Sequence, residues 1–191
     1  MHSLTPTRIA ALLQPYYVDP TPLLLEQLSS YLGLLLKWNA HTNLTSIRDP
    51  ESIVQRHFGE SLFAAGHLPP FRTLLDLGSG AGFPGLPIQL AYVDHTVVLS
   101  ESQNKKASFL REVVRNLGLS TEVWASRVQD MPATRTFDVV ALRAVDNPEA
   151  ALAEARRRLT DSGVIAHLST TAFGAGIALP NSVDGVLRLK R

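Results

Sequence analysis

The sequence predicts an α/β protein in which a helical N-terminal extension precedes a doubly wound, mostly parallel sheet. Over residues 71–191, short apolar segments alternate with amphipathic ones, which is the pattern of βαβ units. A glycine-rich segment follows the first apolar segment, as at the ligand-binding edge of such sheets. Residues 1–70 instead contain helix-start signals and leucines at helical spacing, so this part is predicted to be helical.

The extension, residues 1–70, is predicted to contain three helices. Thr5-Pro6, Thr21-Pro22 and Asp49-Pro50 each combine an N-cap residue with a proline at the first helical position. The first helix is expected to end near Gln14, before a proline, and the second to follow the leucines of residues 24–36. The third places three apolar side chains on one face: Val54, Phe58 and Leu62.

Residues 71–191 are predicted to form the sheet domain, within one structural unit with the extension. The predicted strands are Thr73–Leu77, Thr96–Leu99, Glu122–Trp124, Phe137–Leu142, Val164–Leu168 and Val186–Leu189. An amphipathic helix is predicted over Lys105–Leu117, ending at Gly118. Another is predicted over Pro148–Leu159, with Asn147 as its N-cap.

Composition excludes several classes of function. The 191 residues include no cysteine, which excludes disulfides, cysteine-bound zinc, iron–sulfur clusters and a thiol nucleophile, and no metal site is expected. The net charge of +1 argues against a protein that coats nucleic acid non-specifically. The sequence has neither a membrane-spanning apolar run nor a signal-peptide pattern, so a cytoplasmic protein without membrane contact is expected.

The most specific motif is the segment from Asp76 to Phe83, which has glycines at residues 78, 80 and 82. Glycine permits positive φ and lets a ligand approach the main chain closely. The spacing does not fit the dinucleotide fingerprint G-x-G-x-x-G. Glu101 lies at the end of the next predicted strand, two residues after Leu99, where an acid can accept hydrogen bonds from two ribose hydroxyls. This combination resembles the S-adenosylmethionine site of Rossmann-like class I methyltransferases; the alternative is a tight turn beside a solvated glutamate.

Two further segments follow later strands. Ser126–Asp130 comes after the third strand, where such a fold borders the adenine ring; the alternative is an ordinary polar loop. Arg143 ends the fourth strand, where its forked, permanently cationic group could contact cofactor or phosphate. The alternative for Arg143 is a surface arginine without a ligand.

The methyl acceptor determines which catalytic groups are needed. Methylation of a pyrimidine C5 requires a thiolate, which this chain lacks. Exocyclic amino groups are typically served by an Asn/Asp-Pro-Pro-aromatic loop, and residues 146–149, Asp-Asn-Pro-Glu, lack its second proline and aromatic. Guanine N7 has a free lone pair and needs no general base, so catalysis by positioning is compatible with this sequence. No catalytic residue is identified beyond Arg143 as a candidate.

Several segments together resemble a known family, the bacterial small-subunit ribosomal RNA (guanine-N7)-methyltransferases, also called glucose-inhibited division protein B. The resemblance extends to about Gly163. It rests on the following segments: Lys37–Asn39, Asn43–Pro50, Arg56–Phe58, Asp76–Pro87, Ser126–Val128 and Arg143-Ala144.

The resemblance implies a cofactor, a substrate and two sets of site residues. The cofactor is S-adenosylmethionine, the acceptor is a guanine N7 in 16S ribosomal RNA or the 30S subunit, and a monomer is expected. The implied cofactor-binding residues are Asp76, Gly78, Gly80, Gly82, Phe83, Glu101, Ser102, Gln103, Val128, Gln129 and Arg143. The implied RNA-binding candidates are Asn39, Asn43, Arg48, Arg56 and His57. Turn, cap and core roles are the alternatives for this second set.

The sequence also departs from the family pattern. Leu142, Val145 and Ser169 stand where the family usually has serine, an aromatic residue and lysine, and Glu60 replaces a usual aspartate. Two other functions therefore stay open: a cofactor-binding RNA-binding or assembly protein without activity, and a methyltransferase acting on a small molecule or a protein. Basic residues cluster in three places, any of which could meet RNA: Lys105, Lys106, Arg111 and Arg115; Arg156 to Arg158; and Arg188, Lys190 and Arg191.

Overall fold

The computed structural model describes residues 4–145 and 147–191, so Asp146 of the segment 146–149 lies outside the described residues. The helices are α1 (Pro6–Leu13), α2 (Pro22–Asn39), α3 (Pro50–Ile53), α4 (Glu60–His67), α5 (Gly85–Ala91), α6 (Asn104–Asn116) and α7 (Pro148–Arg157). The strands are β1 (Thr73–Leu77), β2 (Thr96–Ser100), β3 (Glu122–Trp124), β4 (Phe137–Arg143), β5 (Leu159–Thr170), β6 (Ile177–Ala178) and β7 (Gly185–Lys190). None of these helices is long and apolar enough to cross a membrane.

The strands form one seven-stranded sheet in the order β3-β2-β1-β4-β5-β7-β6. Strands β1 to β5 pair in parallel, whereas β7 runs antiparallel to β5, and β6 runs antiparallel to β7. The predicted fold class, a doubly wound and mostly parallel sheet, is therefore confirmed. Connections leave β1 and β4 in opposite directions along the sheet, and this switch point opens a crevice at the carboxyl ends of the two strands.

Strand β1 lies at the centre of the core. Its alternating side chains divide between two apolar clusters, with Leu74 in one and Leu75 and Leu77 in the other. The first cluster also contains buried side chains of α1, α2 and α4, so the N-terminal helices and the sheet share one core. The second contains Ala155 of α7. The division of the chain at residue 70 stays a prediction.

The third predicted helix differs from an uninterrupted α-helix. A π-helical turn, Val54–Gly59, separates α3 from α4, and π turns inserted in helices are frequent at functional sites. The apolar face was predicted correctly, because Val54, Phe58 and Leu62 are fully buried.

Helix α7 is shorter than predicted. It ends at Arg157 rather than Leu159, because Leu159 already pairs with Phe137 in the sheet and the Arg158 carbonyl accepts the Phe137 amide at 2.7 Å. The predicted caps at Asn147 and Gly118 are confirmed. The Asn147 side chain accepts the Ala150 amide, and Gly118 has a positive φ of 64°.

The π turn packs tightly against the segment that follows α1. A Cβ added to Gly59 would stand 2.7 Å and 2.8 Å from two ring carbons of Tyr16, and Tyr16 is itself buried. Gly66 in α4 is the matched opposite case, since nothing lies within 4 Å of a Cβ built there.

We predict that Gly59→Ala destabilises the fold and that Gly66→Ala does not. Overpacking against the Tyr16 ring costs about 1–3 kcal/mol, whereas Gly66→Ala gains about 0.5–1 kcal/mol from lower backbone entropy in the unfolded chain. Free energies of unfolding from urea titration give both values. Equal stability of the two variants would contradict the tight packing at Gly59.

Candidate functional site

The loop between β1 and α5 is built on glycines with left-handed backbone conformations. Gly78, Gly80 and Gly82 have φ values of 73°, 58° and 94°, which other residues adopt only with strain. A Cβ on Gly82 would collide with Tyr31 and Leu86. A Cβ on Gly78 or Gly80 would meet no atom closer than 3.8 Å, so these two glycines face open space.

Strand β2 and the residue after it hold this loop in place. The Ser100 carbonyl accepts the amides of Gly78 and Ser79 at 3.0 and 2.9 Å. The next residue, Glu101, accepts the Gly80 amide through Oε2 at 2.9 Å. The loop conformation is therefore set by the neighbouring parallel strand as well as by the glycines.

Glu101 is oriented by the backbone on both sides. Its Oε1 accepts the Gln103 amide at 2.7 Å. Glu101 also lines two depressions on the surface, which are described below as the glycine-loop cavity and the side groove. A carboxylate oxygen has two acceptor sites, so each oxygen can accept one more hydrogen bond. Glu101 can therefore still accept the two hydroxyl groups of a ribose.

Asp76 lies beneath the loop rather than in the cleft. It is fully buried, its Oδ2 accepts the Gly85 amide at 3.0 Å, and no described atom pairs with Oδ1. Burial raises the pKa of Asp76 from 3.8 to about 7, although the hydrogen bond from Gly85 opposes the shift. Beside it, the buried Tyr31 hydroxyl donates to the Ala81 carbonyl. These two side chains support the loop from the core.

Three depressions lie at the carboxyl edge of the sheet. The glycine-loop cavity, about 440 Å³, is lined by Leu44, Thr45, Ser46, His57, Gly78, Ser79, Gly80, Ala81, Phe83, Glu101, Gln103, Lys106, Arg143, Ala144 and Val145. The side groove is lined by Leu77, Gly78, Ser100, Glu101, Ser102, Ser126, Arg127, Val128 and Gln129. The far pocket, about 240 Å³, is lined by Arg56, Glu60, Arg143, Ala144, Val145, Pro148, His167, Leu168, Ser169, Thr170, Leu179, Asp184 and Gly185.

Most of the predicted cofactor-binding residues line this continuous cleft. Gly78 and Glu101 belong to both the glycine-loop cavity and the side groove, so the two are adjacent. The remaining predicted residues at the cleft are Gly80, Phe83, Ser102, Gln103, Val128, Gln129 and Arg143. Asp76 and Gly82 instead support the loop from behind. Ligand contact by any of these residues stays a prediction.

Arg143 forms the wall between the glycine-loop cavity and the far pocket, because it lines both. Its Nη2 donates to Glu60 Oε2 at 2.7 Å and to the Arg56 carbonyl in the π turn at 2.6 Å. Arg56 Nε lies 2.8 Å from the other Glu60 oxygen. Burial lowers the pKa of Arg143, and the Glu60 charge opposes that shift. Arg143 Nη1 is buried and has no hydrogen-bond partner among the described atoms.

His57 is held as a neutral ring against the glycine loop. It stacks on Phe83 with ring centroids 4.6 Å apart, and its Nε2 lies 2.7 Å from Thr45 Oγ1. Burial, and then the charges of Arg143 and Arg56, lower the pKa of His57 from 6.5 to about 3. At neutral pH the ring is therefore uncharged and cannot pair with a phosphate as a cation.

Three of the RNA-binding candidates form a network that shapes the cavity wall. Asn39 Oδ1 accepts the amides of Leu44 and Thr45 at 2.9 and 3.1 Å, and its Nδ2 donates to the Thr45 carbonyl at 3.0 Å. Arg48 donates to the Asn39 carbonyl at 2.6 Å and to Asn43 Oδ1 at 3.1 Å. Asn39 is buried, whereas this contact between Arg48 and Asn43 is exposed. RNA contact by this set stays a prediction, and the observed contacts order the loop.

Two residues of the basic clusters are buried in the fold. Arg158 pairs with Glu154 at 2.9 Å and donates to the Val128 carbonyl at 3.0 Å, so it supports the side groove. Arg188 is also buried and donates to the Thr170 carbonyl at 3.0 Å, at the rim of the far pocket. Both are structural cations rather than exposed ones.

The departures from the family pattern differ in where they lie. Leu142 is fully buried in the second apolar cluster, so this change does not reach the cleft. Val145 lines both the glycine-loop cavity and the far pocket. Ser169 lines the far pocket and accepts a hydrogen bond from Arg188.

Sequence reasoning missed several residues that build the site. Tyr31 belonged to an ordinary leucine-rich helix pattern, and Thr45 was part of a motif without an assigned role. The i,i+4 spacing of Arg56 and Glu60 was a usable signal for their ion pair. No local pattern pointed to Asp184, which the antiparallel return of β7 brings to the far pocket.

The model of the GidB family, described as rRNA small subunit methyltransferase G, matches residues 24–172. The chain belongs to this family. The GidB match includes the glycine loop, the side groove and Arg143. It stops before Leu179, Asp184 and Gly185, which form one wall of the far pocket.

Curated relatives named "Ribosomal RNA small subunit methyltransferase G" agree with the GidB match. The protein of Chromobacterium violaceum is 40% identical over 139 residues, 72% of this chain and 66% of the relative. That of Nitrosomonas europaea is 42% identical over 127 residues, 66% of this chain and 59% of the relative. That of Lachnoclostridium phytofermentans is 40% identical over 128 residues, 63% of this chain and 53% of the relative. The matches thus span between about half and two thirds of these relatives' own length.

Two solved structures with low sequence identity to this chain share its fold over 58% to 62% of its residues. TYW2 of Pyrococcus horikoshii, in complex with MeSAdo, has a TM-score of 0.53 at 18% identity and covers 62% of this chain and 46% of that one. Precorrin-6y C5,15-methyltransferase of Geobacter metallireducens has a TM-score of 0.50 at 15% identity, covering 58% and 62%. At these identities the likeness shows the fold alone.

We predict that the Asp76→Asn variant gains stability over the unsubstituted chain, and that this gain increases as the pH rises. The native pKa of about 7 lies above the unfolded value of 3.8. The unfolded carboxyl therefore ionises first, and native stability falls through that range. The amide that replaces the carboxyl does not titrate, so the difference in Tm, variant minus unsubstituted chain, grows from about pH 4 to about pH 8. The exposed Asp161→Asn is the control, and a pH-independent difference at residue 76 would contradict the burial cost.

Proposed function

We propose that this chain is an S-adenosylmethionine-dependent methyltransferase that acts on a guanine N7 of 16S ribosomal RNA, as naked RNA or in the 30S subunit. The observation that supports this most is the open glycine loop with Glu101 at its side, in a chain of the GidB family. The names of the curated relatives support the ribosomal RNA substrate. Such a substrate places the activity in the cytoplasm.

The residues at the cleft fit S-adenosylmethionine by their chemistry. Glu101 retains one acceptor site on each oxygen for the ribose hydroxyls. The side groove also contains Glu101, and it offers the adenine both an apolar side chain, Val128, and a polar one, Gln129. Gly78 and Gly80 leave room for the ligand next to the main chain. Arg143, whose buried Nη1 has no hydrogen-bond partner among the described atoms, lines the other end of the cavity.

The far pocket is the proposed place for the acceptor base. It shares Arg143, Ala144 and Val145 with the glycine-loop cavity, so a base in it lies next to the proposed cofactor. The side chains of Pro148 and Leu168 give it apolar walls. A planar heterocycle fits such a surface, since its faces need no hydrogen-bond partners.

Methyl transfer to N7 needs no proton acceptor from the protein. Bound S-adenosylmethionine supplies a sulfonium methyl group, the N7 lone pair forms the new C–N bond, and the electrons of the S–C bond return to sulfur. The neutral His57 fits this requirement, because a ring with a pKa of about 3 is a poor base near pH 7. The chain's contribution is then to hold the methyl group and the guanine N7 in contact, with Arg143 between the two pockets.

We predict that the purified chain transfers methyl groups from labelled S-adenosylmethionine to 16S ribosomal RNA or to 30S subunits. The ribosomes come from cells lacking the corresponding gene, so that the target guanine is unmodified. Nuclease digestion and chromatography should identify 7-methylguanine as the labelled product. Cofactor binding without transfer to RNA would favour the assembly-protein alternative, and labelling of a metabolite or protein fraction instead would favour the other acceptor classes.

We predict that Gly80→Asp lowers the affinity for S-adenosylhomocysteine roughly 100-fold or more, because a second carboxylate would stand beside Glu101 in the loop. Isothermal titration calorimetry measures this affinity. Gly66→Asp, on an exposed part of α4 with free space around it, is the matched control and should bind like the unsubstituted chain. Unchanged affinity of Gly80→Asp would refute the proposed cofactor position.

A further inference from the structure

The far pocket contains two carboxylates among its described lining residues, and they differ in their partners. Glu60 is buried, and its charge is balanced by ion pairs with Arg143 at 2.7 Å and with Arg56 at 2.8 Å. Asp184 is exposed, and among the described residues its side chain has no hydrogen-bond or ion-pair partner. Asp184 is therefore the carboxylate of this pocket that is available to a ligand.

The backbone at Asp184 is fixed from both sides. The Asp184 carbonyl accepts the Thr171 amide at 2.7 Å. The next residue, Gly185, donates its amide to Ser182 Oγ at 2.9 Å and accepts the Leu179 amide at 2.9 Å. None of these bonds involves the Asp184 side chain, so its position is set by the turn and is independent of its own carboxylate. Because the turn fixes the Asp184 backbone, only the side-chain torsions of Asp184 have to be ordered when a ligand binds.

A carboxylate selects guanine by hydrogen-bond geometry. Guanine presents two adjacent donors, N1–H and the 2-amino group, which match the two oxygens of one carboxylate. Adenine has an acceptor at N1, and the pyrimidines lack this pair of donors. N7 lies on the opposite side of the purine, so a base held by its N1 edge at Asp184 presents N7 away from that residue, across the pocket.

We propose that Asp184 reads the N1–H and 2-amino edge of the target guanine in the far pocket. This proposal rests on the proposed function, because it names the group that selects the acceptor base. Apolar contacts from Pro148, Leu168 and Leu179 enclose the ring, and Asp184 supplies the specificity that such contacts lack.

The same contact strengthens during the reaction. Methylation at N7 places a positive charge on the purine, which makes N1–H more acidic and draws it more strongly to a carboxylate. An interaction that is stronger in the transition state than in the ground state raises kcat as well as lowering KM. Loss of the carboxylate should therefore affect both constants. A purely structural role of Asp184 would change stability without changing the choice of base.

Asp184 also lies beyond the segment that defines the family. The GidB model ends at residue 172, whereas the wall formed by Leu179, Asp184 and Gly185 follows it. The assignment is therefore made from this chain's own turn and its contacts. It predicts that base selection depends on a part of the chain outside the family match.

The test compares guanosine with inosine at the methylated position. The modified guanine is first mapped in the reaction of the unsubstituted chain, and a transcript with inosine at that single position is made by ligation. Inosine lacks the 2-amino group and keeps N7. The unsubstituted chain should lose roughly 10- to 100-fold in kcat/KM on inosine, because one hydrogen bond to a charged group is lost. With Asp184→Asn, activity on guanosine should fall by a similar factor, and the guanosine-to-inosine ratio should approach one.

Asp161→Asn is the matched control, since Asp161 is an exposed aspartate near the amino end of β5, away from the carboxyl edge of the parallel strands. It should keep the guanosine preference, and thermal melts should show both variants folded. If the unsubstituted chain methylates guanosine and Asp184→Asn keeps the same preference, the assignment of Asp184 alone is overturned. If the unsubstituted chain transfers nothing to RNA while it binds S-adenosylhomocysteine, the proposed function fails, and the assignment fails with it.

Discussion

The left-handed backbone of the glycine loop is the constraint on which the rest of the site depends. Two of its three glycines, Gly78 and Gly80, face open space at the cleft, and such a loop keeps its shape only if neighbours fix it. Glu101 and the Ser100 carbonyl hold it from β2. Asp76 and Tyr31 hold it from the core. The buried, uncompensated Asp76 oxygen is a stability cost associated with this support.

This constraint makes the N-terminal helices part of the site. The Tyr31 ring lies 5.5 Å from Phe83 and 5.1 Å from Phe58, so α2, the π turn and the glycine loop pack as one aromatic cluster. His57 stacks on the Phe83 member of this cluster, and Thr45 holds it. A sheet without these helices would leave the loop unsupported on its core side. The cleft is thus built by long-range packing around a local motif.

The sequence determines some of these features locally and others only through the fold. Strand β1 was predicted with its observed bounds, because Leu74, Leu75 and Leu77 form a short apolar segment that ends at the glycines. The glycine loop was predicted because its φ values require particular residues. Helix α5 was not delimited, since it is short and begins at Gly85 without a side-chain cap. The π turn has no local signal, and the Arg143 donation to the Arg56 carbonyl that accompanies it joins residues 87 positions apart.

The cofactor half of the cleft and the far pocket consequently differ in which substitutions they tolerate. The cofactor half rests on Gly78, Gly80 and Glu101, whose roles are backbone conformations and amide contacts that few substitutions preserve. The far pocket includes residues from β4, β5 and the turn before β7, and within the described part of the chain the Asp184 side chain makes no hydrogen bond or ion pair. A substitution there changes the ligand surface at little cost in stability. Base selectivity can therefore vary in this fold while the methyl-donor site stays constant, because different physical constraints act on the two pockets that Arg143 separates.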